Sequence, residues 1–291
     1  MWESAPNGLP TADIGWLKED EEKGLFQRAT SSKDKHGNTR WRKFLKDDRM
    51  WFHPPEFPGV VEWKVPSADT FYYSPVFFWR PVRVWHYSPR CLRPDCPARS
   101  NQTASLYRCG YSHTVRQICH MSGWYSMLTV VLACNAFCRK AAKESEERAI
   151  GSFLSLEACI IEQLSPAHRA VFPTILTLRR GVDKQVIRLM RDRTEGNTMT
   201  NVWRQVLESH CEEYLLRKDL YTTLLCQYRQ PGKITRNLPQ RFKLPPPRRE
   251  LPSPKLLRKA FLLAEAENIE DYRMQITSTF SHQEDLQETF R

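Results

Sequence analysis

Two close cysteine pairs carry the most definite chemistry in this sequence: Cys91-x4-Cys96 and Cys134-x3-Cys138. Tetrahedral zinc ligation needs four thiolates converging on one ion at about 2.3 Å. Two pairs achieve this economically, because each pair sits on a single turn and only the two turns must meet. Pro94 in the first turn and Asn135 in the second suit tight knuckles. The spacing predicts a structural four-thiolate zinc site. The alternative is that these are ordinary buried cysteines, since free Cys is often buried. Cys109, His113, Cys119 and His120 lie on one intervening segment and could contribute a ligand, with strand core as the preferred reading. Cys159, Cys211 and Cys226 sit at helical spacings and read as core.

No catalytic constellation accompanies the cysteines. A thiol nucleophile needs a histidine and an orienting acid or amide, and no local signature of that kind is present. Glycine-rich phosphate loops and HExxH are absent. Asp69, Asp95 and Asp183 are isolated acids without the pairing of a two-metal nuclease. The expectation is a binding module that is not an enzyme and has no small-molecule substrate.

The elements around the cysteines follow from local pattern. Leu106 to Gly110, Thr114 to Met121 and Trp124 to Ala133 read as strands, with Ser122-Gly123 as a hairpin turn. This hairpin would absorb the 37 residues between Cys96 and Cys134 and bring the knuckles together. Residues 51–89 are rich in aromatics and cut by prolines, so they read as extended chain and brief strands. From residue 152 the pattern is helical: Ser155 to about Leu164, a short helix opened by Ser165-Pro166, then about Asp183 to Arg193, and a long helix from about Thr198 to Tyr228. Ser253-Pro254 opens a last helix to about Asn268.

These readings divide the chain into a disordered tail at 1–50, an aromatic-rich zinc-binding β module at 51–150, a helical domain at 151–228, a basic Pro-rich linker at 229–252, and a C-terminal helix and tail at 253–291. The expected class is α+β: a small zinc-stapled antiparallel β module followed by a helical bundle with a helix-turn-helix outline.

Net charge is +11, but it is uneven. Residues 229–259 hold 10 basic and 1 acidic side chains, and residues 260–291 hold 2 and 7. DNA is one expected partner. Asn197 and Asn201 with Arg204 would stand at the start of a reading helix, and Arg180, Arg188, Arg191 and Arg193 would meet phosphates. A protein partner engaging the aromatic segment and the Pro-rich linker is the second expectation. No apolar run approaches the roughly 18 to 20 residues that span a bilayer, so no membrane is expected. Nothing at the N-terminus reads as a signal peptide, which predicts a nuclear or cytoplasmic protein that is not secreted.

The ordered motifs Trp51 to Glu56 (WFHPPE), Val65 to Phe71, the two knuckles, Phe172 to Thr177 (FPTILT) and Leu189 to Asn197 (LMRDRTEGN) resemble a domain of unknown function found in transposon-derived vertebrate proteins. The resemblance covers about residues 50 to 280. It implies a zinc-binding module that precedes an RNase H-like, transposase-type region. The second knuckle of such domains is usually Cys-x2-Cys, and Phe137 makes it Cys-x3-Cys in this chain. The sequence ends about where the catalytic region would begin, so the resemblance implies no transposase chemistry in this chain.

Overall fold

The computed structural model describes residues 26–33, 39–45, 49–57, 66–93, 96, 105–112, 114–134, 152–177, 180–191, 198–228 and 243–289. The elements, in chain order, begin with strands β1 (Phe26–Lys33), β2 (Thr39–Leu45) and β3 (Trp51–Phe52). Helix α1 (Ala68–Phe71), β4 (Val76–Trp79), α2 (Pro81–Val84), β5 (Tyr107–Tyr111), β6 (Arg116–Cys119) and β7 (Trp124–Ala133) follow. After these come β8 (Ser152–Leu154), α3 (Ala158–Ile161), α4 (Pro166–Ala170), β9 (Thr174–Leu176), β10 (Gly181–Asp183) and α5 (Lys184–Leu189). Two long helices complete the chain, α6 (Met199–Tyr228) and α7 (Pro254–Thr289).

The expected antiparallel module followed by a helical bundle is not the fold. Eight strands form a mixed sheet, with β4 parallel to β7 and β10 parallel to β6. Strands β8, β9 and β10 lie where only helices were expected. Each is three residues long, too short to display alternation, so its conformation is decided by its partner rather than by a local period. The chain falls into two compact units. The first comprises residues 1–117, 124–172 and 215–247, and the second 118–123, 173–214 and 248–291.

In the first unit β7 is central. It pairs with β4 in parallel, and with β5 and β8 antiparallel. Strand β3 pairs with β4. Strands β4 and β7 are buried on both faces, as parallel-paired strands usually are. On one face Val76, Phe78, Leu128, Val130 and Leu132 form a core with Phe52, Leu106 and Ile160. On the other, Phe77, Trp79 and Met127 are fully buried. The Trp79 ring lies 4.8 Å from that of Phe172 and 5.7 Å from that of Trp85. Its indole N–H donates to the Ser155 carbonyl at 2.9 Å, which satisfies a donor that burial would otherwise penalise. Arg80, also buried, stands over the rings of Phe52 and Phe78 and donates to the Arg49 carbonyl.

The C-terminal part of α6 belongs to this unit. Tyr221 packs on Ala68 and Phe71 and donates its hydroxyl to the Lys243 carbonyl at 2.8 Å. Lys243 then reaches the Asp69 carboxylate at 2.6 Å. Within the Pro-rich segment, Lys243 is therefore tied to the first unit, and residues 229–242 lie outside the described residues. Strands β1 and β2 form a two-stranded ladder where the sequence reading expected disorder. A register shift between Ala29 and Ser31 breaks the alternation that would have announced the strand.

In the second unit β10 runs between Ile118–Cys119 of β6 and strand β9. Asp183 ends β10 and caps α5, its Oδ1 accepting from the Gln185 N–H at 2.7 Å. This cap marks the helix start as the sequence suggested. The buried apolar side chains here are Ile118, Cys119, Ile175 and Val182 of the strands, Val186 and Ile187 of α5, Val202 and Val206 of α6, and Leu257, Ala260 and Ala264 of α7.

Candidate metal centre

Backbone pairing at one end of β7 positions the cysteines. Arg90 bridges Ser105, and the Leu106 N–H donates to the Pro89 carbonyl at 2.7 Å. One step further, Tyr107 and Ser152 both pair with Ala133, the last residue of β7. Cys91 therefore leaves the sheet one residue beyond its bridge, and Cys134 one residue beyond its ladder. The chain after Cys91 turns back, the Cys96 N–H donating to the Arg93 carbonyl at 3.2 Å. The insert between the knuckles is closed by β5–β7 pairing, which brings Cys134 to Cys91 and Cys96; the rest of the second knuckle, from Asn135 to Cys138, lies outside the described residues.

The thiols of Cys96 and Cys134 are 3.4 Å apart, and the sulfurs of Cys91, Cys96 and Cys134 all lie within 4.8 Å of one another. All three side chains are buried, with 3–5% exposure. They sit in the apolar cluster with Leu106, Leu132 and Ile160, and Phe153 and Cys159 pack against its edge. Arg93 covers the Phe153 ring at 4.3 Å. Sulfurs at the corners of a tetrahedron with bonds of about 2.3 Å are about 3.8 Å apart. The observed separations fit such a set without large movement, so three buried cysteines are close enough to hold a metal.

Burial pushes the Cys91 thiol up to about 11, and the neighbouring Cys96 and Cys134 sulfurs add to the shift. The Cys91 thiol resists ionisation there, because its negative charge would be poorly solvated. A bound cation reverses this balance and holds thiolates. The donor set is soft, which suits zinc and other thiophilic ions and argues against calcium or magnesium.

Cys138 lies outside the described residues, as does His113. Cys109 is exposed at the register shift of β5, between Arg108 and Gly110. Cys119 is buried in the second unit, where desolvation, then the Asp183 charge, push its thiol up to about 12. Its S–H faces the His120 carbonyl at 3.7 Å. That carbonyl also accepts from His210 Nε2 at 2.8 Å. Cys159 reaches towards Glu157 at 3.9 Å, Cys211 is half-buried and Cys226 exposed. Among the described residues, the metal-capable group consists of the three cysteines alone. The sequence reading missed the wall that Arg93 and Phe153 make beside the site; they lie far apart in sequence and no motif links them.

The residues expected to meet nucleic acid lie in the second unit. Arg180, Arg188, Arg191 and Arg204 are exposed. Arg191 is held by Glu265 at 2.8 Å. The Asn201 N–H is capped by Thr198 Oγ1 at 3.3 Å. Arg193 and Asn197 are outside the described residues. The helix-turn-helix outline does not survive: α5 has 6 residues, follows β10 directly and buries Val186 and Ile187. Phe78 and Trp79 are buried, which removes them from any aromatic docking surface, and Trp63 is outside the described residues. No helix among the described residues is long and apolar enough to cross a membrane.

A family model described as a domain of unknown function (DUF6729) matches residues 8–264. No curated protein and no solved structure matches.

Proposed function

We propose that this chain, which belongs to the DUF6729 family, is a zinc-stapled binding module without catalytic activity of its own. The observation that carries the proposal is the convergence of Cys91, Cys96 and Cys134 in an apolar wall at the end of β7. Zinc is the ion proposed, with Cys138 as the fourth ligand. Cys138 follows Cys134 in a Cys-x3-Cys spacing, short enough for both to reach one ion. A closed four-thiolate set leaves no position open for water or substrate, so the ion acts as a structural staple rather than a Lewis acid. It would tie the Cys91–Cys96 turn to the sheet end where β5, β7 and β8 meet.

Metal analysis of purified protein tests this reading. One zinc per chain is expected, with its loss and a lower melting temperature in Cys134→Ser and in Cys138→Ser. Metal-free wild-type protein of unchanged stability would overturn it. If only the Cys138 variant keeps its zinc, the fourth ligand is elsewhere and the three-cysteine core stands.

DNA is the ligand we propose for the module, with a nuclear site of action and an origin in a transposon-derived protein. Support comes from the net charge of +11 and from the exposed Arg180, Arg188 and Arg204 of the second unit. A protein partner is the second reading. The exposed Leu244, beside the Pro-rich segment, favours it.

A further inference from the structure

Helix α7 is 36 residues long, about 54 Å. Its buried side chains, Leu257, Ala260 and Ala264, all fall in its first three turns. They form one stripe that docks the helix start in the second unit. On the opposite side, Leu262, Ile269 and Ile276 are exposed by 57%, 57% and 45%. These three are spaced by seven, two turns each, so they line one narrow seam. At 265–269, 273, 276 and 277, the positions beyond Ala264 whose side chains are described, none is buried. Helical stability in proteins comes mainly from packing an apolar face, so a helix this long needs a cover for its seam.

The sequence of the seam specifies what the cover is. We infer that α7 pairs antiparallel with α7 of a second copy of this chain, with Ile269 on the twofold axis. In that register Leu262 meets the partner copy's residue 276, an isoleucine, and the reverse contact repeats it, as an isologous interface requires. The ends of the helix agree. Lys255, Arg258 and Lys259 begin it, while Glu284, Asp285 and Glu288 end it. Antiparallel pairing sets the basic start within about a turn of the acidic end, whereas parallel pairing sets like charges side by side. The seven-residue repeat is the one that two helices sustain by coiling around each other with a left-handed supercoil.

Sedimentation equilibrium of the full chain tests the pairing, with disulfide trapping to give its direction. Wild-type protein is expected to sediment as a dimer of the 34.3 kDa chain. Ile269→Glu and Ile276→Glu should each weaken dimerisation at least about tenfold by placing charge in an apolar seam. Circular dichroism and metal content report whether the variants still fold. In a background with the exposed Cys109 and Cys226 changed to Ser, Ile269→Cys should cross-link to itself. Leu262→Cys should cross-link only when mixed with Ile276→Cys. A monomer at every concentration, a dimer indifferent to both glutamate variants, or self-cross-linking of Leu262→Cys would each overturn the inference.

Discussion

At the residue scale, His210 shows how a single group can carry a pH dependence. It is buried, and desolvation depresses its pKa below 6.5, with the positive Arg248 adding to the effect and the His120 carbonyl opposing it. In the folded state the neutral ring donates Nε2–H to that carbonyl. In the unfolded chain the ring titrates near 6.5, so below that pH the unfolded state binds more protons. The stability contributed by neutral His210 is therefore present above about pH 6.5 and lost as pH falls through the depressed value. Urea midpoints measured from pH 7.5 to 5 should fall, and His210→Gln should flatten the slope; an unchanged slope would assign the titration to another group. Cys91 and Cys96 were legible at this scale because they are close in sequence. His210 was not, since its partner His120 is ninety residues away and only the fold joins them.

At the element scale, β10 depends on a residue without a side chain. A Cβ at Gly181 would lie 2.6 Å from Ile118 Cδ1, 2.6 Å from Thr174 Cγ2 and 3.3 Å from the Ile175 carbonyl. Gly181→Ala must displace both neighbours at once. The expected cost is about 1–3 kcal/mol, typical of overpacking, read as a lower urea midpoint. An unchanged midpoint would show that Ile118 and Thr174 can move aside freely. Strand β7 was read from sequence with the bounds the structure gives it, because its ten residues hold Trp, Tyr, Thr, Val and Leu, which favour a strand, with no Gly or Pro to break it. Its parallel partner β4 could not be identified the same way. Strands buried on both faces lose the alternation that distinguishes one face from another, and parallel partners are joined by no turn signal. The last helix was read only to about Asn268; it runs to Thr289 along a polar sequence whose seam shows one apolar residue in seven.

At the scale of the whole molecule, the charge is the most accessible handle on the proposed ligand. If DNA is bound through phosphates, affinity should fall steeply and linearly on a log–log salt plot. Arg188→Ala and Arg204→Ala should each reduce the slope by about one and weaken all sequences alike. Gel retardation that is absent even at low salt would remove DNA as the ligand and leave the protein-partner reading. The mixed-sheet architecture was the part least legible in the sequence. Its pairings join segments as distant as residues 118 and 181, and no local pattern encodes such a choice. The cluster of Cys91, Cys96 and Cys134 was legible because Cys91 and Cys96 are close in sequence and Cys134 follows directly on the plain strand pattern of β7.

The central place of β7 also sets a timetable for biosynthesis. Val76 pairs with Ser126, fifty residues later, and the other early neighbour of β7, strand β5, likewise waits for it. Until β7 leaves the ribosome, the Val-Phe-Phe-Trp run of β4 has only the two residues of β3 for a partner. At about 5–20 residues per second this wait lasts roughly 3 to 10 seconds. Cys91 and Cys96 wait over much of the same interval for Cys134, which is made with the end of β7. The nascent chain thus carries a bare aromatic strand and two waiting thiols until β7 is made.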